Sequence, residues 1–232
     1  MKLAIMQPYF FPYIGYFQLI SAVDKFIVYD NIKYVKGGWI NRNRILVNGE
    51  PKWISLSLKN DSDYLHIRDR RLMNGMENNK RLLHRIEAAY KKAPNFRQVY
   101  PLVENCLTYP DENLFNFLFH SITEVCKFLA IQTELIVSSS VPINHFLKKQ
   151  DKVIAFCNYF SVDTYINLPG GKALYDKHIF SEQGISLYFL EPENITYNQG
   201  GNSFVPQLSI IDVLMFNELE RVKAYLTMYR LT

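Results

Sequence analysis

The chain has 232 residues, 48% of them hydrophobic and 21% charged, which is enough apolar material for a sizeable core and excludes wholesale disorder. Lys and Arg outnumber Asp and Glu by 26 to 22, and the excess is lopsided: residues 1–92 carry 16 basic and 8 acidic side chains, residues 93–232 carry 10 and 14. A basic front half favours an anionic partner such as phosphate, nucleotide, nucleic acid or a membrane surface, although scattered surface lysines give the same sum.

Lys2–Met6 (KLAIM) reads as a buried strand that stops at Gln7-Pro8. Pro12 can open a helix, because its missing N–H would have no partner in a first turn, and 13–23 is expected to be helical. KFIVYD supplies a second strand ending at Asp30, so strand, loop, helix and strand follow one another as in a Rossmann-like α/β unit. A polar loop with aromatics covers 31–43. The segment 44–58 alternates around Asn48-Gly49 and predicts a hairpin. Residues 78–92 set apolar side chains at Leu82, Leu83, Ile86, Ala89 and Tyr90, a helical spacing that Ala93-Pro94 ends. Helices are expected at Phe96–Leu107 and 114–129, with Asp111 as the cap of the second. Strands and helices then alternate: a strand over 133–140 ending in serines, a helix over 151–160, a strand from 163 into a Gly-rich turn, a strand over 184–192 and a helical tail over 208–229. The pattern predicts one α/β domain over 1–232. It is Rossmann-like with a mostly parallel sheet, and the 44–58 hairpin and the 78–130 helices are insertions.

Three cysteines, at 106, 126 and 157, cannot all pair and have no CxxC spacing, so buried free thiols in a reducing compartment are expected. The apolar N-terminus is broken by Pro8, Pro12 and Gly15 and reads poorly as a signal peptide; no unbroken apolar run reaches membrane-spanning length. A cytoplasmic protein without a membrane span is the expectation. The five histidines share no metal-binding spacing, and no metal is expected.

Three loops carry candidate chemistry. The first runs from Gln7 through Tyr9 and Tyr13 to Gly15 and Tyr16, after one strand and into one helix, where ligands of open α/β folds sit. Gln7, Tyr9, Tyr13 and Tyr16, with Asp30 at the next strand end, are the candidate catalytic residues; Gly15 allows a close approach to the helix. Tyr9 and Tyr16 are expected to turn their hydroxyls to a cleft, with Phe17 in the core. The second loop offers Lys33, Tyr34, Lys36, Trp39, Asn41, Arg42, Asn43 and Arg44: Lys36 and Arg42 for diphosphate, Trp39 for stacking, Asn41 and Asn43 as amide donors and acceptors. The third is Gly170-Gly171-Lys172 with Tyr175, a Gly-rich turn able to cradle phosphate without the full phosphate-loop pattern. Asp212, an acid in an apolar helix, needs a partner: either it pairs with the basic loop or it lines the site. Gln7, Asp30 and Gly170 each follow a strand of one parallel sheet and are expected to converge.

The span Tyr13-Ile14-Gly15-Tyr16 distantly resembles the His-x-Gly-His signature of nucleotidylyltransferases, with both histidines replaced by tyrosine. A closer resemblance covers nearly the whole chain. IMQPYFFPYIGYFQLI, DKFIVYDNIKYVKGGWINRNRI, KWISLSL, YKKAPNF, TYINLPGGKALYD, GISLYF and FVPQLSIIDVLM, in that order, resemble the WbqC-like family. Leu168-Pro169-Gly170-Gly171 stands where members often carry Ser-Gly. Members commonly lie among genes for bacterial surface polysaccharide, including O-antigen with amino sugars. The resemblance therefore implies a transferase that modifies a nucleotide-linked amino sugar by acyl or aminoacyl transfer. Acyl-CoA, acyl carrier protein or aminoacyl-tRNA would then be the activated donor, and the carrier protein or tRNA a partner. Two alternatives stay open: a non-catalytic RNA- or glycan-binding module, whose stacking and phosphate contacts the basic aromatic half would supply, and a nucleotidylyltransferase-like enzyme.

Overall fold

A computed structural model describes residues 1–73, 75–201 and 203–232. Its centre is a six-stranded sheet built from β1 (Lys2–Met6), β2 (Lys25–Val28), β5 (Glu134–Val137), β6 (Thr164–Asn167), β7 (Ser186–Pro192) and β8 (Tyr229–Leu231), in the order β5-β2-β1-β6-β7-β8. The first five are parallel, and β8 runs antiparallel to β7. A separate antiparallel hairpin joins β3 (Arg42–Val47) to β4 (Glu50–Ser55) through Asn48 and Gly49, at φ +52° and +78°, the left-handed pair such a tight turn needs.

Pleating decides the layers. Ala4, Phe26 and Val28 face α1 (Ile14–Ser21) and α4 (Leu114–Phe128), whereas Leu3, Ile5 and Ile27 face α5 (Lys149–Tyr159) and α6 (Lys177–Glu182). The first layer extends through α2 (Gly75–Tyr90), α3 (Phe96–Leu107), α7 (Ile210–Phe216) and α8 (Leu219–Tyr225). The mixed α/β, mostly parallel Rossmann-like expectation holds. Taken in the order in which the chain enters the sheet, the strands lie 3-2-1-4-5-6, and the order reverses between β1 and β6.

Three local expectations are corrected. Asn113, not Asp111, caps α4: its side chain accepts from Asn116 N, while Asp111 accepts from Asn113 N and from Asn116 Nδ2. The tail is not one helix. Asn217 and Glu218 leave helical geometry between α7 and α8, and the chain closes as β8 on β7. The serine run leaves β5 as a 3-10 turn, Ser138–Ser140, rather than continuing the strand. The three cysteines are free and buried, and burial pushes the Cys126 and Cys157 thiols up to about 12. Among the described residues, no helix is long and apolar enough to cross a membrane.

Candidate functional site

In an open α/β sheet the loops beyond the carboxyl ends of the strands flanking the reversal of order form a crevice. Here those loops are residues 7–13, after β1, and the 3-10 turn Pro169–Leu174, after β6. The opening loop is held from several sides. Asn43 Nδ2 donates to the carbonyls of Phe10 (3.1 Å) and Phe11 (2.7 Å), Ser209 Oγ donates to Phe11 O (2.9 Å), and Ile210 N donates to Pro12 O (2.9 Å). Phe11 sits at φ +40°, where a bulky residue is strained and persists only because its surroundings fix it. Tyr13 folds its ring back over Gly15: a Cβ there would meet Tyr13 ring atoms at 2.4 to 2.6 Å. The close approach for which Gly15 is needed is that of Tyr13 itself.

Two connected concavities result. A cavity of about 230 Å³ is lined by Tyr9, Pro12, Tyr13, Trp39, Asn43 and Gln207. A groove of about 520 Å³ shares Tyr13 and Gln207 with it, and runs past Ile14 and Pro169 to the segment that follows β7, including Tyr197. That size and mainly apolar, aromatic lining suit a small-molecule site. Burial raises the phenol pKa values of Tyr9 and Tyr13, so at neutral pH both hydroxyls are protonated and able to donate to a ligand. Gln207, at φ +56°, is a lining residue that the sequence reading missed. A polar residue just ahead of an apolar helix gave no signal by itself.

Beside the cavity lies a cationic aromatic shelf. Trp39 and Trp53 are exposed, with ring centroids 5.3 Å apart. The Arg42 guanidinium lies 4.3 Å from the Trp53 ring, and that of Arg44 lies 5.6 Å from Trp39 and 5.9 Å from Trp53. Arg42 is committed to its own loop: Nε donates to Gly38 O at 3.1 Å, and Nη2 donates to Gly37 O.

The other expected site residues fall in several places. Tyr16 is a correction: its ring is wholly buried against Phe26, and its hydroxyl donates to Gln7 O at 3.0 Å rather than facing a cleft. The reason is that Gln7 O lies at the end of β1, and Tyr16 supplies its donor. Phe17 is in the core. Gln7, Asp30 and Gly170 follow neighbouring parallel strands and so share one edge of the sheet, but they line neither concavity; Tyr9 and Pro169, close to two of them in sequence, do. Asp30 accepts from Ser138 Oγ (2.6 Å), Ser139 N (2.8 Å) and Ser139 Oγ (2.5 Å). Burial pushes its pKa up, but these bonds outweigh burial and leave it below the usual carboxylate value.

Asn43 lines the cavity yet spends its amide on the loop, and its Oδ1 accepts from Arg44 N. Tyr34 donates to Asn41 Oδ1 (2.8 Å), whose Nδ2 donates to Leu56 O (2.9 Å), so this pair braces the loop against the hairpin. Lys36 is exposed. A Cβ at Gly171 would meet Asn167 Nδ2 at 2.6 Å, so the Asn167 side chain would have to shift, whereas Gly170 faces open space. Lys172 pairs with Glu191 at 2.6 Å, and Tyr175 packs edge-on against Tyr165.

Asp212 is corrected on both counts: it does not pair with the basic loop and does not line the site. It accepts from Tyr90 Oη (2.9 Å), Tyr197 Oη (2.7 Å) and Gln199 Nε2 (2.8 Å), three neutral donors. Burial raises its pKa, which those bonds offset in part. Through Tyr197, which lines the groove, Asp212 anchors the groove's far wall.

Comparison with known sequences adds to this geometry. The family model for WbqC-like proteins matches residues 7–224. The uncharacterised protein Rv1507c of Mycobacterium tuberculosis is 28% identical over 218 residues, covering 93% of each chain. No solved structure matches the chain. The matched span takes in the opening loop, the hairpin and the groove segment alike, and the chain belongs to the WbqC-like protein family.

Proposed function

We propose that this protein is a transferase that binds a nucleotide-linked amino sugar and forms an amide on its amine, in bacterial surface-polysaccharide biosynthesis. The observation that carries the reading is the cavity at the reversal of strand order, where Tyr9, Tyr13 and Trp39 offer ring faces and Gln207 offers polar atoms. Flat apolar faces with a few polar handles are what pyranose rings and bases need. In the reaction, the lone pair of the sugar amine attacks the carbonyl carbon of an activated acyl or aminoacyl donor. The resulting oxyanion accepts hydrogen bonds, and the thiolate or ribose oxygen of the donor leaves, taking up the proton that the amine gives away. Tyr9 and Tyr13 suit the oxyanion role because both line the cavity and their phenols are protonated donors at neutral pH. Asp30, fully hydrogen-bonded and outside the cavity, suits a structural role better than that of general base. The WbqC-like resemblance supplies the polysaccharide setting.

A thermal-shift panel of nucleotide sugars, free nucleotides, CoA and RNA oligonucleotides tests the binding half. A ligand at about 100 times its Kd stabilises the folded state by about 2.7 kcal/mol. The chemical half is tested by incubating an amino-sugar nucleotide with acyl-CoA, acyl carrier protein or aminoacyl-tRNA and reading the amide product by mass. A nucleotide-sugar shift followed by a mass gain on the sugar is expected. A shift with RNA alone, without turnover, favours a binding module, for which the exposed Trp39–Trp53 shelf is the supporting observation.

A further inference from the structure

Arg44 stands apart from Arg42 and Lys172. Arg42 is spent on the carbonyls of Gly37 and Gly38, and Lys172 on Glu191. Arg44 has no carboxylate within 4.0 Å among the described residues. Its Nε is buried without a hydrogen-bond partner, and its Nη2 reaches the Gln207 carbonyl only at 3.5 Å. A buried donor left without a partner calls for an explanation. The backbone beneath it is firm: Arg44 sits opposite Trp53 in the hairpin register, its N–H donates to Asn43 Oδ1 at 2.8 Å, and its carbonyl accepts from Ser209 N at 2.9 Å. Trp39 and Trp53 lie beside its guanidinium, and Trp39 and Gln207 belong at once to Arg44's surroundings and to the cavity wall. A planar, always-charged fork held on a rigid strand beside aromatic rings, next to two residues that line a neutral cavity, is a seat for a bidentate oxyanion.

We propose that Arg44, backed by Trp39 and Trp53, is the anion subsite of this cavity and takes a phosphate of a nucleoside diphosphate group, leaving the uncharged part of the ligand to the cavity. The inference rests on the nucleotide-sugar reading above and adds to it the residue that recognises charge. Arg44 holds the ligand; it moves no proton.

The test is calorimetric titration of UDP, GDP, CDP and dTDP, each beside its own nucleoside, into the parent protein, R44Q and R44K. The diphosphate that binds the parent is expected to bind at least about tenfold more tightly than its nucleoside. R44Q is expected to weaken that diphosphate about ten- to a hundredfold and to leave the nucleoside unchanged, since it removes the charged fork that only the diphosphate meets. R44K, which keeps charge but not the fork, falls between. Added salt weakens the diphosphate and not the nucleoside. Equal diphosphate affinity in the parent and R44Q, or equal affinity for diphosphate and nucleoside in the parent, overturns the inference. If R44Q does not fold, R44K and the salt series on the parent decide by the same criteria. A parent that binds nucleotide sugars with the same affinity as R44Q removes only the Arg44 assignment. A parent that binds no nucleoside, diphosphate or nucleotide sugar removes both that assignment and the nucleotide-sugar reading.

Discussion

Asn43 Nδ2 donates to the carbonyl oxygen of Phe11 at 2.7 Å, and Phe11 is the residue of the opening loop held at φ +40°. One amide from the hairpin thus fixes the strained turn that carries Tyr9 and Tyr13 to the cavity. Asn43→Ala removes its bonds to the Phe10 and Phe11 carbonyls and should cost about 1–3 kcal/mol in urea unfolding. It should also weaken any cavity ligand, because the turn loses the contact that holds its geometry. Unchanged stability would mean that Ser209 alone is sufficient to hold Phe11.

Gly15→Ala separates ligand binding from stability. Helix propensity gains about 1 kcal/mol from Gly to Ala, but the new methyl would lie 2.4 Å from the nearest Tyr13 ring atom, so the ring must swing away. The melting temperature should change little, while affinity for a cavity ligand falls. Adding Tyr13→Ala should abolish the effect of the methyl on affinity, since no ring remains to displace. Independent, additive effects of the two substitutions would contradict the contact.

Tyr16→Phe and Tyr13→Phe should behave oppositely. The first removes the donor to Gln7 O inside the core and should lower stability by about 1–3 kcal/mol with ligand affinity intact. The second removes a hydroxyl that has no hydrogen-bond partner among the described residues, and should lower turnover or affinity without moving the melting temperature. Chemical denaturation and titration on both variants check this.

Asp30 sets part of the acid sensitivity. Its folded pKa lies below the unfolded value of 3.8. The stability it contributes is therefore fully present above that value and is lost as pH falls through the folded pKa. Ser139→Ala removes one of the bonds that depress the pKa. The variant should be less stable than the parent at pH 7, and the gap should narrow as pH falls below about 4. Urea midpoints at pH 7 and pH 3 decide it; a gap that widens in acid would be the wrong sign.

Much of the frame is legible in the sequence because it follows from local rules. KLAIM and KFIV are short apolar runs with clear stops, and Asn48-Gly49 names its own turn. Strand β8 was not legible, since Tyr229–Leu231 has no alternation of its own and becomes a strand only by pairing with β7. The Asn217–Glu218 break between α7 and α8 carries neither Gly nor Pro to mark it. At the site, Tyr9, Tyr13 and Trp39 stand out as aromatics in loops beyond strand ends. The commitments of Asn43 and Asp30 were hidden, because each partner lies on another segment: that of Asn43 on the opening loop, that of Asp30 on a serine turn more than 100 residues away. Gln207 enters the site because Phe204, Pro206 and Leu208 lie along the groove with it and Ile210 N bonds Pro12 O, a long-range closure with no local signal.

The chain's two tryptophans, Trp39 and Trp53, both lie at this site, so intrinsic fluorescence reports on the cavity directly. In a Trp53→Phe variant excited at the red edge, beyond tyrosine absorption, the emission comes from Trp39, a lining residue. Titration with the nucleotide sugar that gives the largest thermal shift should change the Trp39 emission saturably, with the Kd found by calorimetry on the same variant. Calorimetric binding of that nucleotide sugar with no change in Trp39 emission would place the ligand elsewhere and contradict the assignment of this cavity as the substrate site.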